Sequence, residues 1–475
     1  RIAVTEETFV YHSVLMIEVV EMNDDQLQAI SPIDGRYLEK STHLRQYFSE
    51  SALMRYRVLT EIKWLIFLSE YKDLNQIPVL SKDIKESLEN IIEQFSIDDA
   101  KAIKLIENQT NHDVKSIEYF LQEKINCLPD GKNLIPFIHF GCTSEDINNI
   151  SYALMLKDAI ELQVKEFNLL ISTLRNQSHL WADDTMLSRT HGQAATPTTM
   201  GKEFANFVYR LNQQIKTLET IEYRAKMNGA VGNFNAHKIA YPDINWTDLS
   251  EQFIKSIGLT NNPYTTQIEP HDWMAELFHS LIRINNICLD LSKDIWMYIS
   301  LGYFHQTIKS SEVGSSTMPH KVNPIDFENA EGNIGLANSI LDHLASKLVI
   351  SRLQRDLSDS TALRNIGSAY AYMTIANQSL MKGLGKIKIN KEVINNDLES
   401  NLEILAEAIQ TILRREQIED AYEHLKELTR GKALDKDKLI SFINSLKIDE
   451  SVKNELKELS PQNYSGLASK LAKEI

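Results

Sequence analysis

Hydrophobic residues recur along much of the chain at alternating spacings of four and three. The clearest stretch lies between His271 and Leu301 and contains neither glycine nor proline. This period is typical of helices that pack at shallow angles in a bundle, so the stretch predicts one helix roughly 40 Å long. Its stripe consists of Leu277, Leu281, Ile284, Cys288, Leu291, Ile295 and Tyr298.

Two further stripes predict additional helices of the same kind. They are Phe204, Val208, Leu211, Ile215 and Leu218, and then Leu336, Ile340, Leu344 and Leu348. The stretch after His271 is also apolar outside its stripe, for example at Trp296 and Met297. A helix that is apolar most of the way round is buried on most sides, which predicts a central bundle extended by partner subunits. Strands and helices do not alternate, so the predicted fold class is all-α.

Two breaks in the helical pattern suggest the domain organisation. Residues 126–135 are rich in turn formers, and Gly383 and Gly385 interrupt the pattern again. Met22 opens a stretch typical of a natural start, so residues 1–21 are interpreted as a non-native or upstream extension. The predicted domains are an N-terminal helical domain (22–132), a central long-helix bundle (133–384) and a C-terminal helical domain (385–475).

Composition narrows the functional classes. The 17 glycines and 11 prolines are about half the usual share, which argues against an all-β fold. The net charge of −15, without a dense basic tract, argues against nucleic-acid binding. Three widely spaced cysteines fit a reducing compartment. Because no apolar run reaches about 18 residues and no signal peptide is recognisable, we expect no membrane partner and a cytoplasmic location.

Five segments crowd small hydroxyl, histidine, amide and charged residues between apolar stretches. Three flank predicted long helices, whose N-termini favour anions. From composition alone, the last segment fits either a lid over an anionic substrate or a solvated linker. The segments are SPIDGRY (31–37), TNHDVK (110–115), HFGCTSEDINN (139–149), LSRTHGQAATPTT (187–199) and GSSTMPHKVNPIDFEN (314–329).

The motif GSSTMPHKVNP resembles that of the fumarase/aspartase superfamily, all-helical homotetrameric lyases that release fumarate. Together with NPYTTQIEPHD (262–272) and SRLQRDLSDST (351–361), the five segments resemble, in order, the adenylosuccinate lyase family of the longer bacterial type. The resemblance extends from about Met22 to the C-terminus. Two features depart from it: Ala194 follows the HGQ motif where proline is expected, and residues 1–21 have no counterpart.

The resemblance implies an enzyme of purine nucleotide biosynthesis with two small-molecule nucleotide substrates. It would release fumarate from adenylosuccinate, giving AMP, and from succinyl-aminoimidazole carboxamide ribotide, giving the carboxamide ribotide. Both reactions are β-eliminations across a C–N bond. The resemblance further implies a homotetramer with active sites shared between subunits, and neither a metal nor another cofactor.

The resemblance makes Ser315 the general base and His191 the general acid. A serine hydroxyl becomes a credible base only if nearby N–H groups or a cation such as Lys321 stabilise its alkoxide. A histidine titrates near working pH and suits proton delivery to the leaving nitrogen. Glu328 would orient this imidazole, although it could equally be a surface charge.

The remaining site residues are also implied by the resemblance. The substrate carries a phosphate and two carboxylates, so local cations must overcome the negative field of the protein. The implied residues are Arg36, Tyr37, Arg355, Ser360 and Arg364 around the nucleotide; Thr143, Ser144, Thr190, Gln267, Ser316, Lys321 and Asn323 around the succinyl group; and Asn111, His112, Asp113 and Asn329 along the rest of the pocket, with His139 in support.

Other functions remain open at the level of the sequence. Argininosuccinate lyase, fumarase and aspartase share the Gly-Ser-Ser loop, but their substrates lack a phosphate. A non-catalytic protein on this scaffold is a second alternative, which the presence of both Ser315 and His191 disfavours. A metal hydrolase is a third, and it lacks support because His271 and His279 have no evident third ligand.

Overall fold

The computed structural model describes most of the chain. Ser315, Ser316 and the extension 1–21 lie outside the described residues. The described residues are 24–307, 318, 321–419, 423, 425–426 and 435–475.

The described residues are mainly α-helical, with six short strands. The helices are α1 (Asp24–Gln28), α2 (Leu38–Ser41), α3 (Arg45–Phe48), α4 (Glu50–Glu70), α5 (Lys82–Glu93), α6 (Ile97–Thr110), α7 (Asp113–Asn126), α8 (Ser144–Leu180), α9 (Met200–Leu218), α10 (Asn235–Ala240), α11 (Trp246–Ser256), α12 (Asp272–Ser300), α13 (Ile325–Leu348), α14 (Ser358–Leu363), α15 (Ile366–Leu384), α16 (Lys391–Glu399), α17 (Ala406–Arg415), α18 (Lys436–Ser445), α19 (Glu450–Glu458) and α20 (Ala468–Glu474). The strands are β1 (Thr185–Thr190), β2 (Gln193–Thr199), β3 (Arg224–Ala225), β4 (Thr260–Asn261), β5 (Phe304–Gln306) and β6 (Ile387–Ile389).

Five long helices form a closed bundle. Going round it, α8 packs on α9, α9 on α12, α12 on α13, α13 on α15, and α15 on α8. The longest, α8, has 37 residues and therefore spans about 55 Å. The structure thus confirms the mostly α-helical class and the long helices.

The predicted stripes of α9 and α12 face the core. All five residues of the α9 stripe are buried, as are those of α12 from Leu277 to Ile295. The predicted helix between His271 and Leu301 is confirmed, because α12 begins at Asp272 and ends at Ser300. The period of the hydrophobic residues was sufficient for this prediction, because it identifies the face of a helix that is buried on folding.

The prediction for α13 was only partly right. Leu344 and Leu348 are buried, but Leu336 is 50% exposed. The face of α13 turned into the bundle instead includes Ile334, Ala337 and Leu341. Trp296 and Met297 on α12 are likewise exposed, at 40% and 51%. Both helices therefore carry apolar side chains on the outside of this chain.

A β-hairpin interrupts the helical pattern between α8 and α9. Strands β1 and β2 pair antiparallel, with an irregularity between Leu187 and Ser188. Threonine is frequent in both strands, and its branched side chain suits a pleated surface. The other strands form two small pairs, β3 with β4 in parallel and β5 with β6 antiparallel.

A smaller hydrophobic cluster lies beside the main core. Its buried residues all fall between Met54 and Ile138, where α4 packs with α5, α6 and α7. The main cluster runs from Leu44 to Leu456 and includes the bundle. The predicted domain boundaries remain a prediction. Within the described residues, no helix is both long enough and apolar enough to span a bilayer.

Candidate active site

His191 lies at the tip of the β1–β2 hairpin. His191 and Gly192 form its two-residue turn, with φ angles of +54° and +74°. A turn with positive φ at both central positions matches the twist of the flanking strands, and glycine adopts this conformation without strain. Thr190 pairs with Gln193 across the turn. The turn therefore presents an exposed imidazole beyond the end of a short ribbon.

Thr143 and Ser144 begin helix α8. Thr143 is its N-cap, and its backbone N–H donates to Oδ2 of Asp146 at 2.8 Å. The carboxylate satisfies a backbone donor that the helix leaves without a partner. It also pairs with Nζ of Lys226 at 3.0 Å, and both side chains are fully buried. A buried ion pair therefore fixes the start of α8.

The same carboxylate organises the turn after Lys226. It accepts the backbone N–H groups of Asn228 and Gly229 at 3.0 and 3.1 Å. The next residue, Ala230, accepts a hydrogen bond from the Gln267 side chain at 3.1 Å. The backbone N–H of Gln267 donates in turn to the carbonyl of Gln354 at 3.3 Å. These contacts connect the start of α8 with Gln267 and with the segment that carries Arg355.

Three guanidinium groups lie close to this end of α8, and we call them the arginine cluster: Arg57, Arg355 and Arg364. Arg355 pairs with Glu145 at 2.7 Å and lies 3.7 Å from Asp359. Ser360 follows, and its backbone N–H donates to Asp359 at 2.6 Å. Burial raises the pKa of Asp359, and the charge of Glu145 raises it further.

Asp113 joins the other two members of the arginine cluster. Its Oδ2 accepts from Arg57 at 2.7 Å and from Arg364 at 3.4 Å. Arg364 also pairs with Glu50 at 2.7 Å. Burial raises the pKa of Asp113, but the Arg57 guanidinium outweighs burial, so the net pKa lies below its ordinary value. Asp113 is therefore an anion that holds two cations in place.

Asn111 and His112 form the turn before α7. Asn111 has a φ of +52°, a conformation that asparagine tolerates better than most residues. His112 is the N-cap of α7, and its Nδ1 accepts the backbone N–H of Lys115 at 3.0 Å. Because Nδ1 is an acceptor, a neutral imidazole at His112 carries its proton on Nε2.

A second group of predicted residues, the Tyr37 cluster, comprises Arg36, Tyr37 and Asn329. The hydroxyl of Tyr37 accepts a hydrogen bond from Asn329 at 3.2 Å. This bond lowers the pKa of Tyr37, burial opposes it, and the Arg36 guanidinium lowers it further. Ser379 on α15 donates to Asn329 at 2.7 Å and thereby fixes the amide.

Glu328 and His139 have well-defined partners. Glu328 accepts a hydrogen bond from the indole of Trp296 at 3.1 Å. His139 contacts the buried carboxylate of Glu61 at 2.6 Å. Burial lowers the pKa of His139, but its bond to Glu61 more than compensates, so the net pKa is raised. We therefore assign His139 to the interior, where it pairs with a buried charge.

Arg36 and Lys321 differ from the arginine cluster. Both side chains are exposed, and among the described residues neither lies within ion-pair distance of a carboxylate. Asn323 is half-buried near Lys321, and this segment is held to β5 because Gln306 donates to the carbonyl of Val322 at 3.1 Å. Within the described part of the chain, neither of these two cations is therefore neutralised by a carboxylate, although Arg36 contacts Tyr37.

Comparison with known proteins places these residues in a family. A lyase family model matches residues 35–337, and a model described as the C-terminal region of adenylosuccinate lyase matches residues 351–465. An adenylosuccinate lyase of Legionella pneumophila is 53% identical over 94% of this chain and 98% of its own length. One from Escherichia coli strain K12 is 50% identical over 96% of this chain and its whole length.

The chain belongs to the adenylosuccinate lyase family.

Solved structures agree with the fold. A fumarate lyase from Mesorhizobium sp. BNC1 has a TM-score of 0.73 and 16% identity, covering 91% of this chain and 97% of that one. A 3-carboxy-cis,cis-muconate lactonizing enzyme from Pseudomonas putida has a TM-score of 0.71 and 18% identity, covering 91% and 96%. At these identities the likeness concerns the fold of this adenylosuccinate lyase family member.

In this member of the adenylosuccinate lyase family, the structure brings some predicted residues together. The described contacts do not join the arginine cluster, the Tyr37 cluster and the hairpin to one another at a single centre. Glu328 and His191 are not hydrogen-bonded to each other within the described chain. The residues connected around the start of α8 are Asp113, Thr143, Ser144, Gln267, Arg355, Ser360 and Arg364, with Asn111 and His112 in the adjoining turn.

Sequence reasoning missed several residues that hold the predicted site residues in place around the start of α8. Asp146 could have been found, because an acidic residue three positions after Thr143 is typical of a capping box. Lys226 and Arg57 gave no comparable indication, since lysine and arginine are rarely fully buried. Their roles depend on carboxylates that are distant in the sequence.

Proposed function

We propose that this enzyme cleaves adenylosuccinate into AMP and fumarate, and succinyl-aminoimidazole carboxamide ribotide into the carboxamide ribotide and fumarate. The observation that carries the proposal is the 50–53% identity to curated adenylosuccinate lyases over nearly the full length of both chains. The reaction places the enzyme in purine nucleotide biosynthesis. We propose a cytoplasmic location, as expected for a biosynthetic lyase with nucleotide substrates.

His191 is the general acid of the proposed mechanism. It protonates the leaving nitrogen as the C–N bond breaks, so that the purine or imidazole amine departs neutral. The exposed position of the imidazole at a hairpin tip supports this role, because the ring projects away from its own core. Glu328 is proposed to orient the imidazole from another copy of the chain.

Ser315 is the general base of the proposed mechanism. It removes a proton from the carbon next to a carboxylate, and the electron pair is delocalised into that carboxylate. The resulting dianion needs donors and cations nearby. Thr143, Ser144, Thr190, Gln267, Ser316, Lys321 and Asn323 are proposed for this task. The exposed ammonium of Lys321, which has no ion-pair partner within the described part of the chain, supports the proposal.

The phosphate of the substrate is proposed to bind through arginines. Arg355 and Arg364 already pair with carboxylates. This pairing keeps their guanidinium groups oriented but neutralises part of their charge. Arg36 has no such partner among the described residues. We therefore expect Arg36→Ala to weaken nucleotide binding more than Arg355→Ala or Arg364→Ala does through the loss of charge alone.

The active unit is proposed to be a homotetramer whose sites combine residues of different subunits. The three groups of site residues occupy separate parts of one chain, which supports this assembly. The apolar side chains on the outside of α12 and α13 support it as well, because partner subunits would cover them. The proposed domains remain 22–132, 133–384 and 385–475, with 1–21 as an extension.

Turnover of adenylosuccinate tests the proposed reaction directly. The purified protein is mixed with adenylosuccinate, and the ultraviolet absorbance of the substrate is followed over time. AMP and fumarate are identified by chromatography. Argininosuccinate is run in parallel as a substrate without phosphate. We expect turnover of adenylosuccinate alone. Turnover of argininosuccinate, or of neither compound by a folded tetramer, would contradict the proposed substrate.

A further inference from the structure

The hairpin that carries His191 is fully buried only at its base, and in its outer half Ala194 is partly buried against the core. Met186 and Leu187 on β1 are 1% exposed, and Thr199 at the end of β2 is also 1% exposed. Beyond Ser188 the side chains of β1 are exposed, up to the turn. An isolated two-stranded ribbon is marginally stable in water, so the outer half needs support from elsewhere.

Helix α16 supplies that support through Asp397. Its Oδ2 accepts a hydrogen bond from the guanidinium of Arg189, two positions before His191. The same oxygen accepts the hydroxyl of Tyr303. A carboxylate that accepts from a guanidinium makes a stronger and more directional bond than a neutral pair. The outer half of β1 is therefore tied to α16, 208 positions away in the sequence.

Tyr303 connects this contact to the bundle. It is 1% exposed and stacks on Tyr298 of α12, with the ring centroids 6.1 Å apart and the planes within 6°. Its carbonyl accepts the backbone N–H of Asn390 at 2.8 Å, just before α16 begins. Asp397 thus connects the long side chain of Arg189 on the hairpin to the stacked pair of Tyr303 and Tyr298.

The second strand of the hairpin is held by the same region. Thr196 on β2 donates to Glu407 on α17. At the hairpin base, Lys391 at the start of α16 pairs with Asp184 at 2.6 Å. The C-terminal helices therefore contact both strands of the ribbon, and Asp397 is the contact nearest to His191 on β1.

We propose that Asp397 is a positioning residue for His191. By holding Arg189 against Tyr303, it fixes the direction of the hairpin tip and hence the place where the imidazole meets the leaving nitrogen. The inference rests on the proposed role of His191 as general acid. A displacement of about 1 Å at a reacting group can lower a rate by about a hundredfold. The contact between Asp397 and Arg189, which we call the brace, lies two positions from His191 and therefore affects turnover.

Hydrogen exchange tests the brace without using activity. In Asp397→Asn, amides of peptides covering residues 185–199 exchange several-fold faster than in the wild type, because the ribbon opens locally more often. The matched control is Glu455→Gln, which breaks the 2.6 Å pair with Arg415 in the same C-terminal region without touching the hairpin. Unchanged exchange in the hairpin of Asp397→Asn overturns the proposal.

A second variant protects the test against misfolding. Arg189→Gln removes the guanidinium and leaves Asp397 and Tyr303 in place, so the core contact survives. We expect the same faster exchange in residues 185–199, with circular dichroism and the thermal midpoint close to those of the wild type. A hairpin that exchanges at the wild-type rate in a folded Arg189→Gln protein again overturns the proposal.

Kinetics distinguish positioning from a general structural effect. Asp397→Asn lowers kcat for adenylosuccinate about ten- to a hundredfold and raises KM by a smaller factor, because Thr190 is the only predicted succinyl contact that lies on the hairpin. In a His191→Ala background, Asp397→Asn causes no further loss of the residual rate. An equal additional loss there shows that Asp397 acts through another residue and overturns the proposal.

The two proposals can fail independently. If His191→Ala retains a near-normal rate, the acid role of His191 is wrong, whatever the hairpin does. If His191→Ala is inactive but hairpin exchange is unaffected by Asp397→Asn, only the positioning role of Asp397 is wrong.

Discussion

At the scale of single residues, His237 shows how strongly the interior constrains chemistry. Its side chain is fully buried, and neither ring nitrogen has a hydrogen-bond partner among the described residues. The ring packs against Trp246, with the ring centroids 4.7 Å apart. Gly141 has a φ of +73°, and a Cβ there would lie 2.4 Å from the imidazole Nε2. Only glycine therefore fits beside this ring.

Burial lowers the pKa of His237 to about 4, and the nearby Asp146 carboxylate offsets only part of the effect. In the unfolded chain the imidazole titrates near 6.5, so the unfolded state takes up the proton first as pH falls. Above pH 6.5 His237 therefore does not change the free energy of unfolding. As the pH falls from 6.5 to about 4, protonation of the unfolded state progressively lowers that free energy. At pH 5 the loss amounts to about 2 kcal/mol.

A variant that cannot titrate isolates this effect. We expect His237→Gln to lose less stability than the wild type between pH 7.5 and pH 5, as measured by denaturant midpoints at each pH. The comparison uses only the change with pH, so any cost of the substitution itself cancels. Equal losses in the two proteins would show that the buried imidazole does not control acid sensitivity.

At the scale of elements, the start of α8 combines a local and a non-local feature. The capping arrangement of Thr143 and Asp146 is encoded within four residues, and sequence patterns can reveal it. The partner Lys226 is 80 positions away, and its full burial depends on how the chain returns to α8. Local rules therefore predict the cap but not the charge that completes it.

Asp146→Asn tests the importance of this pair. The change leaves Lys226 buried without its anion, which costs about 3 kcal/mol or more of unfolding free energy. It also weakens the acceptor for the Thr143 backbone, so we expect KM for adenylosuccinate to rise. The control, Asp98→Asn, breaks an exposed pair with Lys101 on α6 and should change neither quantity appreciably. A stable Asp146→Asn protein with an unchanged KM would contradict this account.

At the scale of the whole molecule, the predicted site residues fall in three separate places on one chain. The arginine cluster lies at the start of α8, the Tyr37 cluster includes Asn329 of α13 and contacts α15, and His191 lies at the tip of the hairpin. One chain therefore presents the predicted site residues at several places. Association of identical chains can bring such parts together, because symmetry repeats each surface.

Mixing inactive variants tests shared sites. Ser315→Ala and His191→Ala are each expected to fold but to lose several orders of magnitude in turnover. After subunit exchange, hybrids of the two contain some sites with both residues intact, and activity returns in part. The matched control mixes Ser315→Ala with the double variant, which supplies no Ser315 at all. Persistent inactivity of the first mixture, once exchange is verified by native mass spectrometry, would refute shared sites.

The outer face of α13 supplies a test of assembly. Leu336→Asp places a charge on an apolar surface that we expect to be covered by a partner subunit, so sedimentation velocity should show smaller species and activity should fall. Val79 is 84% exposed outside the bundle, and Val79→Asp is the control that should remain assembled. An unchanged oligomer in Leu336→Asp would exclude this face from the interface.

The amino-acid sequence by itself determined the helical class, the long bundle helices and the family. Hydrophobic period and helix caps are local properties, and they are legible within a few turns of chain. The tertiary structure alone decided the hairpin that carries His191, the inward face of α13, and the pairs Asp146–Lys226 and Arg189–Asp397. These features depend on which distant segments of the chain come into contact. A buried charge or an isolated two-stranded ribbon is stable only when another segment of the chain supplies its partner.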